Sequence, residues 1–223
     1  MPNSSNSSIQ EIHSMLTVGH RNIRIRPHTF WLWGIAGAFL VLAIDPLLTA
    51  ERFPNFHHRY ILNLLIQITV LFGIGLLDHG YTKYILEVRD ESLTFTHQQI
   101  RKVWWLLVCF GILFNFASGF YGSGMLVLSF WIVALGFGLY INGLFSAVIL
   151  EWIAAIIILL GMAPLVLPLD YSQTKMLMAS VLGLGLPALP FLLAKDADAG
   201  FVMRIRRTLF WFLLVCIPPI LLS

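Results

Sequence analysis

Long apolar segments alternate with short polar stretches along the whole chain of 223 residues. A membrane-spanning helix needs about 20 consecutive, mainly apolar residues, and seven segments come near that length. We therefore predict helices at residues 29–49, 60–78, 103–121, 125–145, 147–168, 175–194 and 208–223. The seventh segment is short and contains Pro218 and Pro219, so we expect an irregular last turn, and six spans remain an alternative.

The longest polar stretch between these segments is residues 78–102, after the second predicted span. Within it Tyr81, Tyr84 and Val88 recur at helical spacing, which predicts an amphipathic helix lying at the membrane surface. The alternative is a β-hairpin that turns at residues 90–92. We favour the helix, because an isolated two-stranded hairpin is only marginally stable.

Composition supports a membrane protein. Hydrophobic residues make up 58% of the chain and charged residues 11%, whereas soluble domains carry about 25% charged residues. We predict an all-α fold: a polytopic integral membrane helical bundle of seven, or alternatively six, transmembrane helices. Residues 1–28 are predicted to be a tail with a short amphipathic surface helix, and residues 29–223 a single membrane domain. The expected location is the cytoplasmic membrane of a bacterium.

The basic residues predict the orientation. If the spans alternate in direction, eleven lysines and arginines lie on one side of the membrane: Arg21, Arg24, Arg26, Lys83, Arg89, Arg101, Lys102, Lys195, Arg204, Arg206 and Arg207. The other side has Arg52, Arg59 and Lys175. Because loops rich in Lys and Arg stay in the cytoplasm, we predict a cytoplasmic N-terminus. The same placement explains the net charge of +3, so we expect no nucleic-acid partner.

Tryptophans near the same span ends agree with this orientation, as expected for aromatic residues at a membrane interface. They are Trp31, Trp33, Trp104, Trp105, Trp152 and Trp211.

The seven histidines argue against haem and metal binding. Haem held between two histidines needs both of them inside the bilayer, and none lies in the interior of a predicted span. The neighbouring His57 and His58 lack a placed third ligand for a metal ion. We therefore expect no haem and no bound metal.

Polar side chains inside the spans are the first candidates for a functional site, because such residues face a cavity or another helix. At about 1.5 Å per residue, six fall within about two turns of one another in the outer half of the membrane: Asp45, Asn63, Gln67, Asn115, Ser118 and Ser129. One hypothesis is a hydrated substrate path that opens outward, in which Asp45 is the one charge. The interpretation we favour is a set of hydrogen bonds between helices, with Asp45 near the water interface, because depth does not establish that these residues face each other.

Glu151 is a further candidate for the substrate path, about one turn into the fifth predicted span on the cytoplasmic side. In one interpretation this carboxylate takes part in proton coupling. In the other it extends to the cytoplasmic surface and contacts Arg101 or Lys102. Both interpretations remain open.

Two acidic clusters follow the second and sixth spans on the predicted cytoplasmic side: Asp78 with Asp90 and Glu91, and Asp196 with Asp198. Such carboxylates bind Mg²⁺, and through it a diphosphate. Their placement, with Arg26-Pro27 before the first span, resembles the UbiA-type membrane prenyltransferases. The resemblance implies a Mg²⁺-dependent enzyme acting on a lipid or prenyl diphosphate. This chain lacks that family's Asn-Asp-x-x-Asp motif and its eighth and ninth spans.

Three functions are compatible with these features, and the sequence leaves open whether the protein is an enzyme. We favour a permease-type subunit of a transport complex. Its residues 78–102 would couple it to a partner ATPase or another membrane subunit, much as short exporter-type ABC permeases use the loop after their second span. The alternatives are the Mg²⁺-dependent enzyme and a structural or assembly subunit. No Walker A or metalloprotease motif occurs, so we assign no catalytic residue and expect no cofactor beyond the Mg²⁺ of that alternative.

Overall fold

The computed structural model describes residues 26–89, 95–119, 124–194 and 200–221, which form a bundle of seven long helices. The helices are α1 Pro27–Leu47, α2 Phe56–Arg89, α3 Phe95–Gly119, α4 Gly124–Leu144, α5 Val148–Val166, α6 Tyr171–Leu193 and α7 Phe201–Leu221. The described residues contain no strand. The surface helix predicted in the N-terminal tail lies outside them.

The prediction of an all-α, polytopic membrane bundle is confirmed. Helices α1 to α6 are each long and apolar enough to cross a membrane. They coincide with the first six predicted segments apart from a few residues at the ends, except that α2 and α3 extend well into the polar stretch between them.

Contacts between helix ends show that consecutive helices alternate in direction. The hydroxyl of Thr29, at the start of α1, donates to Asp78 near the end of α2 at 2.8 Å. The hydroxyl of Tyr60, at the start of α2, donates to Oδ1 of Asn115 near the end of α3 at 3.0 Å. We call the end with Thr29 and Asp78 the basic end, because the arginine- and lysine-rich helix ends lie there, and the other the Tyr60 end.

The predicted surface helix at residues 78–102 is instead part of two longer helices. Residues 78–89 continue α2 without a break, and residues 95–102 form the first turns of α3, so the hairpin alternative is wrong for both. Residues 90–94 lie outside the described residues. Since α2 contains no proline between Phe56 and Arg89, nothing in its sequence ends the helix at the membrane boundary.

Helix α7 packs into the bundle beside α6. Trp211 is fully buried, and its Nε1 donates to the carbonyl oxygen of Gly185 at 2.9 Å. The helix continues through Pro218 and Pro219 to Leu221, so the expected irregular last turn is wrong. A proline φ is close to the helical value, and each ring removes only one backbone donor, which a helix end tolerates.

The apolar part of α7 is shorter than a full membrane span. It follows Arg204, Arg206 and Arg207 and measures about 14 residues, or about 21 Å, against a hydrocarbon core of about 30 Å. The described part of the chain therefore has six helices with full-length apolar spans and a seventh helix whose apolar part is shorter.

Helix α6 contains one π-helical turn, Val181–Gly185, between the α-helical segments Tyr171–Ser180 and Leu186–Leu193. This turn packs directly on α1, where a Cβ at Gly34 would lie 2.6 Å from the carbonyl oxygen of Leu182. One extra residue in a turn rotates the two flanking helical segments relative to each other by about 100°. The π turn therefore decides which side chains of the first half of α6 face α1.

The packed core lies among α4, α5, α6 and α7. Its side chains of at most 1% exposure include Ile132, Leu139, Ile149, Ile153, Val181 and Trp211. Helix α2 lies outside this core, and its buried residues among those described are Ile74, Gly75 and Thr82. Space therefore remains between α2 and the rest of the bundle.

Candidate functional site

That space is a cavity of about 870 Å³ bounded by α1, α2, α3, α4 and α6. Along α2 its lining extends from Phe56 to Thr82, a distance of about 39 Å, which exceeds a hydrocarbon core of about 30 Å. Its volume is within the range of about 300–1,000 Å³ typical of small-molecule sites. Volume divided by length gives a mean cross-section of about 22 Å², so the cavity is long and narrow.

The middle of the cavity is apolar and aromatic. Four tryptophans line it: Trp33, Trp104, Trp105 and Trp131. Three of them pack against the glycines Gly75, Gly111 and Gly138, where a Cβ would lie 2.5 to 2.8 Å from an indole ring. A larger residue at these glycines would push the indole into the cavity. Sequence reasoning placed three of these tryptophans at the interface and missed their role in the cavity wall.

The polar residues predicted from α2 and α3 face each other at the Tyr60 end. Gln67 Nε2 donates to Oδ1 of Asn63 at 2.8 Å, and Asn115 Nδ2 donates to Oε1 of Gln67 at 2.6 Å. The Tyr60 hydroxyl donates to the side-chain and backbone oxygens of Asn115. We call Tyr60, Asn63, Gln67 and Asn115 the amide cluster; all four line the cavity, as does Ser118.

Tyr60 was missed by sequence reasoning, although it lies on the same helical face as Asn63 and Gln67, three and seven residues away. Ser129, in contrast, does not line the cavity. It is buried, and its hydroxyl has no hydrogen-bond partner among the described residues. The amide cluster therefore combines both sequence interpretations, since its side chains bond between helices and also face a cavity.

We expect Gln67→Leu to destabilise the bundle by about 1 kcal/mol. Asn115 is 2% exposed and would lose its acceptor on α2, and hydrogen bonds between membrane helices contribute about 0.6 to 1.7 kcal/mol. Unfolding of the purified protein in mixed detergent would measure this. The matched control is Gln98→Leu, because Gln98 lies outside the cavity lining and forms no hydrogen bond with the amide cluster. Equal unfolding midpoints for the two variants would contradict a contribution of the amide cluster to stability.

Asp45 lies beside the main cavity, not in its wall. Its Oδ2 is 2.6 Å from Nζ of Lys175, and the Tyr171 hydroxyl donates to its Oδ1 at 3.4 Å. Asp45 lines a second cavity of about 650 Å³, which shares Tyr60, Asn63 and Tyr171 with the first. The one charge predicted for the substrate path is thus paired with a lysine.

Lys175 entered the sequence reasoning only as a basic residue that sets orientation. Its side chain is 14% exposed, against 42% for Asp45. An ammonium group so far removed from water needs a counter-charge. The sequence does contain a signal for this pair. One span begins near a lysine and another ends near an aspartate, and alternating spans place both on the same side of the membrane.

Asp78 is the carboxylate at the basic end of the cavity. Its Oδ1 accepts from the Thr29 hydroxyl at 2.8 Å and lies 3.7 Å from Nε2 of His28. The same ring nitrogen is 3.2 Å from the Thr82 hydroxyl. Asp78 therefore joins α1 to α2 through its hydrogen bond with Thr29.

Five basic or titratable side chains line the same end of the cavity: Arg26, His79, His97, Arg101 and Lys102. Nη1 of Arg101 lies 3.3 Å from Nδ1 of His79. Asp78 is the only carboxylate among the described residues of this lining. Within the described lining, three positively charged side chains and one carboxylate therefore lie at the basic end.

Glu151 is apart from both cavities. It lies in the first turn of α5, where a Cβ at Gly143 would be 2.9 Å from its Cγ. Within the described part of the chain it forms no hydrogen bond or ion pair with Arg101 or Lys102.

The other predicted acidic residues, Asp90, Glu91, Asp196 and Asp198, lie outside the described residues. Among the residues that are described, no three acidic, histidine or cysteine side chains are grouped as a metal site would require.

The chain was compared with protein-family models, curated proteins and solved structures, and none of them matches it.

Proposed function

We propose that the protein is a permease-type membrane subunit whose main cavity carries a single-chain amphiphilic molecule between the two ends of the bundle. One observation carries this proposal: the cavity is long enough to cross the whole membrane core, apolar in its middle and polar at both ends. A compact polar solute would lose its hydration in the aromatic middle without compensating hydrogen bonds. An extended apolar chain would instead bury its surface there.

The polar ends suit the remaining part of such a molecule. The amide cluster and Tyr171 offer neutral donors and acceptors at the Tyr60 end, and the basic end offers cations. A molecule with one polar group can therefore find hydrogen-bond partners at either end of its path. Polar groups inside a bundle that face a cavity typically mark such paths.

We also propose that the basic end contacts a coupling subunit, either an ATPase or another membrane protein, in the cytoplasmic membrane of a bacterium. The 34 residues of α2 extend about 51 Å, well beyond a hydrocarbon core of about 30 Å. On this extension Tyr84 and Val88 are exposed, as is Phe95 at the start of α3. Aromatic and apolar side chains at the end of a helix that leaves the membrane favour contact with a protein.

The two other functions receive less support from the described residues. For a Mg²⁺-dependent enzyme, Asp78 would have to leave its hydrogen bond with Thr29, and its predicted partners lie outside the described residues. A purely structural subunit gives no reason for a cavity of about 870 Å³, since interiors that serve only for packing are closely filled.

Leaflet exchange of a fluorescent single-chain lipid tests the proposal. The probe is a hexadecyl chain with a terminal nitrobenzoxadiazole group, carrying a phosphate or an uncharged head group, in vesicles of neutral phosphatidylcholine. Dithionite bleaches probe in the outer leaflet only. We expect the protein to let the inner-leaflet probe be bleached as well, and Leu71→Trp to slow this about tenfold, since Leu71 lines the cavity and a bulkier residue narrows it.

The matched control is Phe72→Trp, the next residue of α2, which is 58% exposed and does not line the cavity. It should keep the wild-type rate within about twofold. Vesicles with wild-type protein that bleach no faster than protein-free vesicles would contradict the proposal. Equal slowing by both tryptophan variants would also contradict it, because the path would then not run through the cavity.

A further inference from the structure

The polar lining of the main cavity is asymmetric in charge. At the Tyr60 end the polar lining residues are the amide cluster, Ser118 and Tyr171, all of them uncharged. At the basic end Arg26, Arg101 and Lys102 face Asp78. The basic end therefore favours the orientation in which an anionic group of an amphiphile lies there.

The hydrogen-bond donors at the basic end come from separate elements. Arg26 precedes α1, Arg101 and Lys102 lie on α3, and His79 lies on α2 beside Arg101 at 3.3 Å. Like charges that line one opening repel one another, and an anion between them removes this repulsion. Asp78 offsets one of these positive charges, and its carboxylate accepts a hydrogen bond from the Thr29 hydroxyl.

The arrangement suits a phosphate group better than a carboxylate. A phosphate group presents three strong acceptor oxygens, which donors on three separate elements can approach from different sides. Arginine also forms paired hydrogen bonds with phosphate oxygens. Next to this opening the lining becomes apolar, with Trp104, Trp105 and Ile100, so a ligand held here by its phosphate would have a hydrocarbon chain next to the indoles.

We propose that the basic end of the main cavity binds the phosphate group of a single-chain amphiphile, whose chain extends along the tryptophan-lined middle towards the amide cluster. This inference rests on the proposed function and names its substrate class. Arg101 and Lys102 bind the phosphate, and the neutral amide cluster receives no ionic group in the bound state.

Photo-crosslinking in vesicles tests this binding separately from transport. The probe is hexadecyl phosphate with a diazirine in its chain, bound to the full-length protein in phosphatidylcholine vesicles, with mass spectrometry locating the adducts. The competitors are unlabelled hexadecyl phosphate, hexadecanol and inorganic phosphate. We expect adducts on cavity-lining residues, half-displacement by hexadecyl phosphate at the lowest concentration, and hexadecanol about tenfold weaker, as charge-assisted hydrogen bonds would give.

The decisive variant is Arg101→Gln with Lys102→Gln, which should raise the half-displacing concentration of hexadecyl phosphate about tenfold and leave that of hexadecanol unchanged. The matched control is Lys83→Gln with Arg206→Gln. It removes the same charge from exposed residues of the same end that do not line the cavity, and it should change affinity less than about twofold. The exchange Arg101→Lys with Lys102→Arg keeps both charges and should retain most of the binding.

Three results would overturn the inference. If hexadecanol competes as strongly as hexadecyl phosphate, the cavity has no phosphate site. Displacement of the probe by inorganic phosphate at the concentration of hexadecyl phosphate would make the ligand a free ion. If the Arg101/Lys102 and Lys83/Arg206 double glutamine variants weaken binding equally, the binding depends on surface charge and not on these two residues.

Failure of this inference is distinguishable from failure of the proposed function. If binding depends on the phosphate charge but no leaflet exchange occurs, the phosphate site is supported and the permease function is contradicted. The reverse outcome is leaflet exchange of the uncharged probe, slowed by Leu71→Trp, with no preference for the phosphate. It would support the permease function and contradict the phosphate site.

Discussion

Replacing Gly34 by alanine is expected to destabilise the protein by about 1–3 kcal/mol. The new Cβ would lie 2.6 Å from the carbonyl oxygen of Leu182 and 2.9 Å from Cδ of Pro187. Neither atom can rotate aside, because the first belongs to the backbone of the π turn and the second to a ring. Helices α1 and α6 would have to separate, and close contact at small residues is a main source of stability between membrane helices.

Thermal unfolding in detergent, followed by intrinsic fluorescence, would measure this effect. Gly73→Ala is the matched control on α2, because a Cβ at Gly73 would meet no other atom within 4 Å. Alanine also favours a helix over glycine by about 0.5–1 kcal/mol, so this variant should be as stable as the wild type or slightly more so. A Gly34→Ala protein that unfolds at the midpoint of Gly73→Ala would contradict the close packing of α1 on α6.

Replacing Asp45 by asparagine is expected to cost about 2 kcal/mol, between the value of about 1 kcal/mol for exposed ion pairs and about 3–5 kcal/mol for buried ones. The change leaves the Lys175 ammonium, which is 14% exposed, without its carboxylate at 2.6 Å. Because Asp45 itself is 42% exposed, water offsets part of the loss. Chemical or thermal unfolding at low salt is the measurement.

Asp170→Asn provides the control for this second prediction. Asp170 caps α6 by accepting from the backbone N–H of Gln173 at 2.7 Å, and asparagine caps a helix as well as aspartate does. The double variant Asp45→Asn with Lys175→Met should recover most of the stability, because it removes the unpaired charge. If Asp45→Asn behaves like Asp170→Asn, the ion pair does not stabilise the bundle.

The candidate site was only partly accessible to sequence reasoning. Depth along each span placed Asn63, Gln67 and Asn115 at one level, and the structure shows these three in contact. Depth says nothing about direction around the helix axis, however. Ser129 lies at a similar level and has no hydrogen-bond partner among the described residues, and Asp45 contacts Lys175 instead of this group.

Rotation about the helix axis depends on contacts between distant parts of the chain. The π turn of α6 rotates Lys175 relative to the second half of that helix. The pattern of apolar residues does not predict such a turn. The packing of glycines against the cavity tryptophans is also not predictable from the sequence. A glycine in a span predicts that another helix approaches closely, but not which residue of that helix it contacts.

By itself the sequence determined the approximate positions of the first six apolar helices, the all-α membrane class, and which helix ends carry the basic residues. These properties are local, because a run of about 20 apolar residues forms a helix in lipid whatever its neighbours are. Only the tertiary structure decided that α2 continues beyond its span to Arg89, that the amide cluster and the basic end line one cavity, and that Asp45 is paired with Lys175. Each of these depends on how helices distant in sequence rotate and pack against one another, which the order of residues along a single helix does not specify.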